Sequence, residues 1–99
     1  MLKIQFKDKR QPSFWVMDKS FSIGSSSTSH CTIVDPSVSG RHAEIVKRGN
    51  SFILKDLSSA QGTFVNRLRI DEKDIFCGDL ISFGDVNLEV VDPLEEIKH

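Results

Sequence analysis

Apolar and polar residues alternate from the start of the chain, with Leu2, Ile4 and Phe6 separated by Lys3, Gln5 and Lys7. A period of two places each set on its own face, so this stretch predicts a half-buried strand. Lys9-Arg10-Gln11-Pro12-Ser13 predicts the turn that follows. Residues 14–17 are short, apolar and aromatic and predict a second strand. Phe21 and Ile23 alternate with Ser20 and Ser22. Residues 31–34 form a β-rich run that Asp35-Pro36 stops. Residues 42–47 and 52–56 flank Arg48-Gly49-Asn50-Ser51 and predict a hairpin. Residues 63–65 and 67–70 around Asn66 predict another, and 80–83 with 86–91 around Gly84-Asp85 a third. No segment carries a sustained helical period. About ten short strands with turn chemistry between them predict an all-β, mostly antiparallel sandwich. Phe6, Phe14, Phe21, Phe52, Phe64 and Phe83 fall on the predicted inner faces and are expected in its core.

The last residues follow a different pattern. Asp92-Pro93-Leu94-Glu95-Glu96 has an N-cap residue, proline at the first helical position and glutamate at the third. A helix that short is marginal alone. The expectation is a domain over residues 1–91, with 92–99 a tail or the start of a linker helix leading into a longer, multidomain protein.

Composition narrows the class. The chain has 99 residues, 38% hydrophobic and 27% charged, enough for one core. Lys plus Arg number 13 and Asp plus Glu 14, a net charge of −1 that argues against nucleic acid as a partner. The longest apolar run, residues 14–17, falls far below the roughly 20 residues a membrane-spanning helix needs. Cys31 and Cys77 lack the spacing of a disulfide scaffold or a metal site, which points to free thiols and a cytoplasmic protein. Residues 1–50 hold eight Lys/Arg against four acids, and residues 51–99 five against ten. Whether that asymmetry reaches the surface depends on how the strands interleave.

No phosphate-binding G-x-x-x-x-G-K-[ST] loop, G-x-S-x-G elbow or H-E-x-x-H motif is present. Ser39 and His42 stand three apart, but nothing marks an orienting carboxylate or an oxyanion hole. The expectation is no catalysis, no cofactor and no metal. What stands out instead are stretches rich in hydroxyls and glycine: 23–29, 35–42, 56–66 and 77–84. Hydroxyls, backbone N–H groups and a guanidinium on loops have the chemistry of an anion site, although such residues also make ordinary loops.

In order and separation these stretches resemble a forkhead-associated (FHA) domain. The family pattern is G-R, S-R-x-H, D-x-S-x-N-G-T-x-[VL]-N and G-D-x-I-x-[FV]-G. This chain offers Gly24, then Ser39-Gly40-Arg41-His42, then Asp56-Leu57-Ser58-Ser59-Ala60-Gln61-Gly62-Thr63-Phe64-Val65-Asn66, then Gly78-Asp79-Leu80-Ile81-Ser82-Phe83-Gly84. The resemblance covers residues 2–91. It implies a twisted antiparallel β-sandwich of about eleven strands that binds phosphothreonine peptides through loops at one end. Ser39 matches the phosphate-binding serine and His42 the histidine that fixes its loop. Gly24, Gly62, Thr63 and Asn66 match structural positions. Ser25 stands where the family has its phosphate-binding arginine, and Gln61 where it has the asparagine that grips the peptide backbone. Ser25, Ser26, Ser39, Gly40, Arg41 and Gln61 are therefore the expected peptide-binding residues, with phosphate binding weakened. Arg41, two residues beyond Ser39, is expected to replace the missing guanidinium if the segment is extended. A degenerate domain making phosphorylation-independent protein or interdomain contacts is the alternative.

Overall fold

The computed structural model describes residues 2–91. The helix start expected at 92–96 and the tail at 92–99 lie outside the described residues. Eleven strands and no helix occur within them: β1 (Leu2–Phe6), β2 (Phe14–Val16), β3 (Ser20–Gly24), β4 (Cys31–Thr32), β5 (Ala43–Arg48), β6 (Ser51–Asp56), β7 (Thr63–Val65), β8 (Leu68–Arg69), β9 (Glu72–Ile75), β10 (Leu80–Phe83) and β11 (Val86–Val91). One sheet runs β2-β1-β11-β10-β7-β8 and the other β4-β3-β5-β6-β9. Every pair is antiparallel except β3 with β4.

The alternation seen in the sequence sets the register. Leu2, Ile4 and Phe6 of β1 point inward with Val86, Leu88 and Val90 of β11 and Ile81 and Phe83 of β10. Ile23, Ala43, Ile45, Phe52 and Leu54 of the second sheet meet them in one core. Each large apolar side chain so buried contributes roughly 1.5–3 kcal/mol. Phe6, Phe52 and Phe83 are core residues as expected, while Phe14 and Phe21 are only partly buried and stack at 5.4 Å. Phe64 lies outside the core cluster, because its register partners Ser82 and Arg69 put it on the outer face.

The sequence pattern missed β9. Glu72, Lys73 and Asp74 are charged and exposed, and only Ile75 is buried. β9 pairs on one side only, with β6, and an edge strand keeps solvent-facing charge that erases the apolar alternation. Between β7 and β8 a two-residue turn carries positive φ at Asn66 (51°) and Arg67 (72°), as a type I′ hairpin requires. Asn66 also accepts a bond from the Leu80 N–H (3.0 Å) and donates to the Asp79 carboxylate (3.0 Å). These bonds tie the β7–β8 turn to the start of β10, at the opposite end of β7 from Gly62.

Both sheets draw on both halves of the chain, since β1 and β2 join β7, β8, β10 and β11, while β9 joins β3 to β6. The charge asymmetry along the sequence is therefore interleaved in space.

Candidate functional site

Three connections meet at one end of the sandwich: residues 25–30 after β3, 33–42 before β5 and 57–62 after β6. Gly24 brings the first two together. A Cβ at this buried position would sit 2.1 Å from the Gly40 carbonyl oxygen, so only a glycine fits. That approach lets the Ser25 N–H donate to the Ser39 carbonyl (2.9 Å) and the Ser26 N–H to the Gly40 carbonyl (3.2 Å).

His42 ties the second connection to the third. Its ring is fully buried, edge-on to Phe83 at 5.4 Å. Nδ1 lies 3.1 Å from the Ser39 N–H, which can only donate, so Nδ1 is unprotonated. Nε2 then carries the proton and donates to the Gly62 carbonyl at 2.8 Å. Burial pushes the His42 pKa below the ordinary histidine value, against the opposing pull of the Gly62 carbonyl and Asp56. The unfolded chain therefore takes up a proton before the folded one does. The His42 contribution to stability is full above about pH 6.5 and is lost as pH falls below it. Asp35 behaves likewise at lower pH. Bonds from the Ser37 hydroxyl and amide, with Arg10, hold its carboxyl down to about 2. Urea unfolding from pH 8 to pH 3 is expected to show a first loss beginning near pH 6.5. His42→Gln is expected to abolish that first step.

Asp56 organises the third connection. Its carboxylate accepts the Ser59 N–H (3.3 Å), the Ser59 hydroxyl and the Thr63 hydroxyl (2.7 Å). Burial alone would raise its pKa, but these bonds outweigh it and hold the carboxyl below its usual value. Ser59 Oγ in turn accepts the Gly62 N–H at 3.1 Å. Gly62 has φ +95°, the left-handed backbone expected of it. Thr63 is fully buried and committed to Asp56. The sequence reading passed over Asp56 and Ser59 as site-building residues, although both stand in the block it singled out.

On this frame the outward groups are donors. Ser39 Oγ accepts the Ala60 N–H at 3.0 Å, which leaves its own proton to donate elsewhere. The acceptance also polarises that proton. Ser25 is half-buried, and Gly40 and Gln61 are exposed. The Ser26 and Thr28 hydroxyls share a bond at 2.8 Å. No acid lies within 24–30 or 57–66, and Asp56, the residue before Leu57, is occupied. Arg41 is exposed and lines a side cavity with Thr28, Ser29 and Leu57; Ser39 is not among its walls. No group of three His, Cys, Asp or Glu side chains fit to hold a metal occurs among the described residues. The chemistry on offer is capture of an anion by neutral hydroxyl and amide donors.

Comparisons with known proteins agree with this geometry. A family model described as FHA domain matches residues 21–84. The glycogen accumulation regulator GarA of Mycolicibacterium smegmatis is 39% identical over 54 residues, which is 54% of this chain and 34% of that protein. The match thus spans about a third of the length of that relative. The crystal structure of the FhaA FHA domain complexed with the intracellular domain of Rv3910 superposes with a TM-score of 0.86 at 30% identity, covering 91% of this chain and 99% of that one. A structure from an analysis of phosphothreonine-dependent FHA domain interactions gives 0.87 at 30% identity, covering 92% and 95%.

Proposed function

Because the chain belongs to the FHA domain family, we propose that it captures phosphothreonine-containing segments of partner proteins through the loops at its His42 end. FHA domains are non-catalytic interaction modules. The observation that carries the reading is the Ser39 hydroxyl, held by the Ala60 N–H with its proton free, on a loop that His42 fixes to Gly62. Ser25, Ser26 and the Gly40 N–H supply further donors around the phosphate, and Gln61 meets the peptide backbone. The complex of the FhaA FHA domain with an intracellular domain supports a protein partner.

Affinity is set by neutral donors. A charge-assisted bond contributes about 1.5–3 kcal/mol, so serine at position 25 in place of arginine lowers affinity by roughly 10- to 100-fold. That same departure favours a second reading, in which the loops dock a protein surface whatever its phosphorylation. Calorimetry with matched phosphorylated and unphosphorylated peptides separates the two. Phosphate dependence is expected, abolished by Ser39→Ala and strengthened by Ser25→Arg. Equal affinities for the two forms would establish the phosphorylation-independent reading.

A further inference from the structure

We propose that β2 is a self-association edge, along which Phe14–Val16 of one copy pairs antiparallel with the same strand of a second copy. The Trp15 backbone faces outward. Lys7, just past β1, donates its N–H to the Asn87 carbonyl (2.9 Å), so its backbone faces β11. Successive residues of a strand face alternate neighbours, so Lys3 and Gln5 also face β11, while Leu2 and Ile4 face β2. Ile4 is in register with Phe14 and Leu2 with Val16, which take those ladder bonds. Trp15, opposite Lys3, therefore directs its N–H and carbonyl away from the sheet, where no described residue bonds to them.

The other three edges of the two sheets are guarded. β8 carries Arg69 behind Arg67, and β9 carries Glu72, Lys73 and Asp74. β4 is two residues long, and the Gln11 amide already donates to its Thr32 carbonyl (3.2 Å). Charged side chains and short length keep an edge from recruiting another strand. Around β2 the charge is missing, since residues 11–17 hold no charged side chain. Trp15 is 39% and Met17 65% exposed, so this run is also apolar at the surface. Lys3 Nζ lies over the Trp15 ring at 5.2 Å, which seats the ring on the outer face, clear of the edge.

A second copy matches this edge along its length. A two-fold axis at Trp15 sets the two Trp15 residues opposite each other, exchanging both backbone bonds and placing their rings side by side. Met17 then faces Ser13 of the other copy. Ser13 borders a cavity of about 500 Å³ whose walls include Phe6 and Pro12 beside the polar turn at 9–11. The unbranched methionine thioether adapts to such a recess. Asp18 faces Pro12 and Lys19 faces Gln11, so no like charges meet across the axis. Every contact is made twice, as a closed dimer requires. The β1–β2 turn lies at the His42 end, because Lys7 bonds Asn87 and the Gly84 N–H bonds the Gly62 carbonyl (3.1 Å). Antiparallel pairing therefore turns the two His42 ends in opposite directions. On the phosphopeptide reading one dimer bridges two phosphorylated segments, whereas the pairing itself does not depend on that reading.

Sedimentation equilibrium of the chain without peptide, from about 5 µM to about 1 mM, tests the pairing, because so short an interface belongs to the weak, transient class. A monomer–dimer equilibrium is expected for the wild type. Amide exchange by NMR is expected to protect the Trp15 N–H in proportion to the dimer fraction. Trp15→Glu keeps a partner for Lys3 but sets two carboxylates against each other, and is expected to weaken association about tenfold. Met17→Lys is expected to weaken it as well. Leu68→Lys, on the edge strand β8, is expected to leave it unchanged. A chain that stays monomeric at the top of the range overturns the proposal, and leaves the edge to a strand of another protein. So does a dimer whose Trp15 amide exchanges as fast as in the monomer, one that persists undiminished in Trp15→Glu and Met17→Lys, or one that weakens equally in Leu68→Lys. Should Trp15→Glu fail to fold, Met17→Lys and the Trp15 amide decide.

Discussion

Replacing His42 with alanine is expected to cost about 3–5 kcal/mol of stability and to abolish peptide capture. The ring is fully buried and lies against Phe83, so truncation leaves a cavity in a close-packed region. It also strands one polar group and weakens the hold on another. The Ser39 N–H loses its acceptor at 3.1 Å, and the Gly62 carbonyl loses one of its two donors, at 2.8 Å, keeping the Gly84 N–H at 3.1 Å. A buried polar group without a partner costs about 1–3 kcal/mol. Water entering the cavity recovers part of that but cannot hold both connections in register. Ser39 then loses the position at which Ala60 orients its hydroxyl. Urea denaturation measures the first effect, and calorimetry below the unfolding range measures the second. A loss under 1 kcal/mol with binding retained would show that the loops hold themselves without the imidazole.

Gly24→Ala is expected to lower stability by about 2–3 kcal/mol and phosphopeptide affinity by more than tenfold. The added carbon would meet the Gly40 carbonyl oxygen at 2.1 Å and its carbon at 2.8 Å, both backbone atoms that cannot rotate away. The two connections must part, and the bonds from the Ser25 and Ser26 N–H groups break with them. Gly40→Ala provides the contrast. A Cβ there has nothing within 4 Å, and the backbone does not require positive φ. Its effect on stability is expected to stay within about 0.5 kcal/mol. Denaturation of the two variants side by side checks the asymmetry, and equal losses would contradict the close approach.

The two glycines show where sequence reasoning reaches its limit. They stand sixteen positions apart, and nothing local reveals that one carbonyl presses on the other's Cα. The strands with a buried face, such as β1, β5 and β11, were legible because alternation is a local property of a half-buried strand. β9 was not, since an edge rich in charge carries no such alternation. His42 was identified through a family resemblance, and its tautomer and two partners became visible only with the fold. At Arg41 the sequence offered spacing alone. The spacing of two from Ser39 predicts a shared face only for an extended segment, whereas residues 33–42 form an irregular connection. Its guanidinium lines a cavity of its own.

The pairing of β1 with β11 also fixes the order of assembly. β11 is the last described strand to leave the ribosome, yet it lies between β1, the first, and β10. Until it arrives, β1 and β10 each present an open edge, the state in which strands recruit other chains. Closing this sheet requires contacts across nearly all of the described residues, the topology that slows folding. A nascent chain stopped before Val86 therefore exposes two unpaired edges, and insertion of β11 seals both at once.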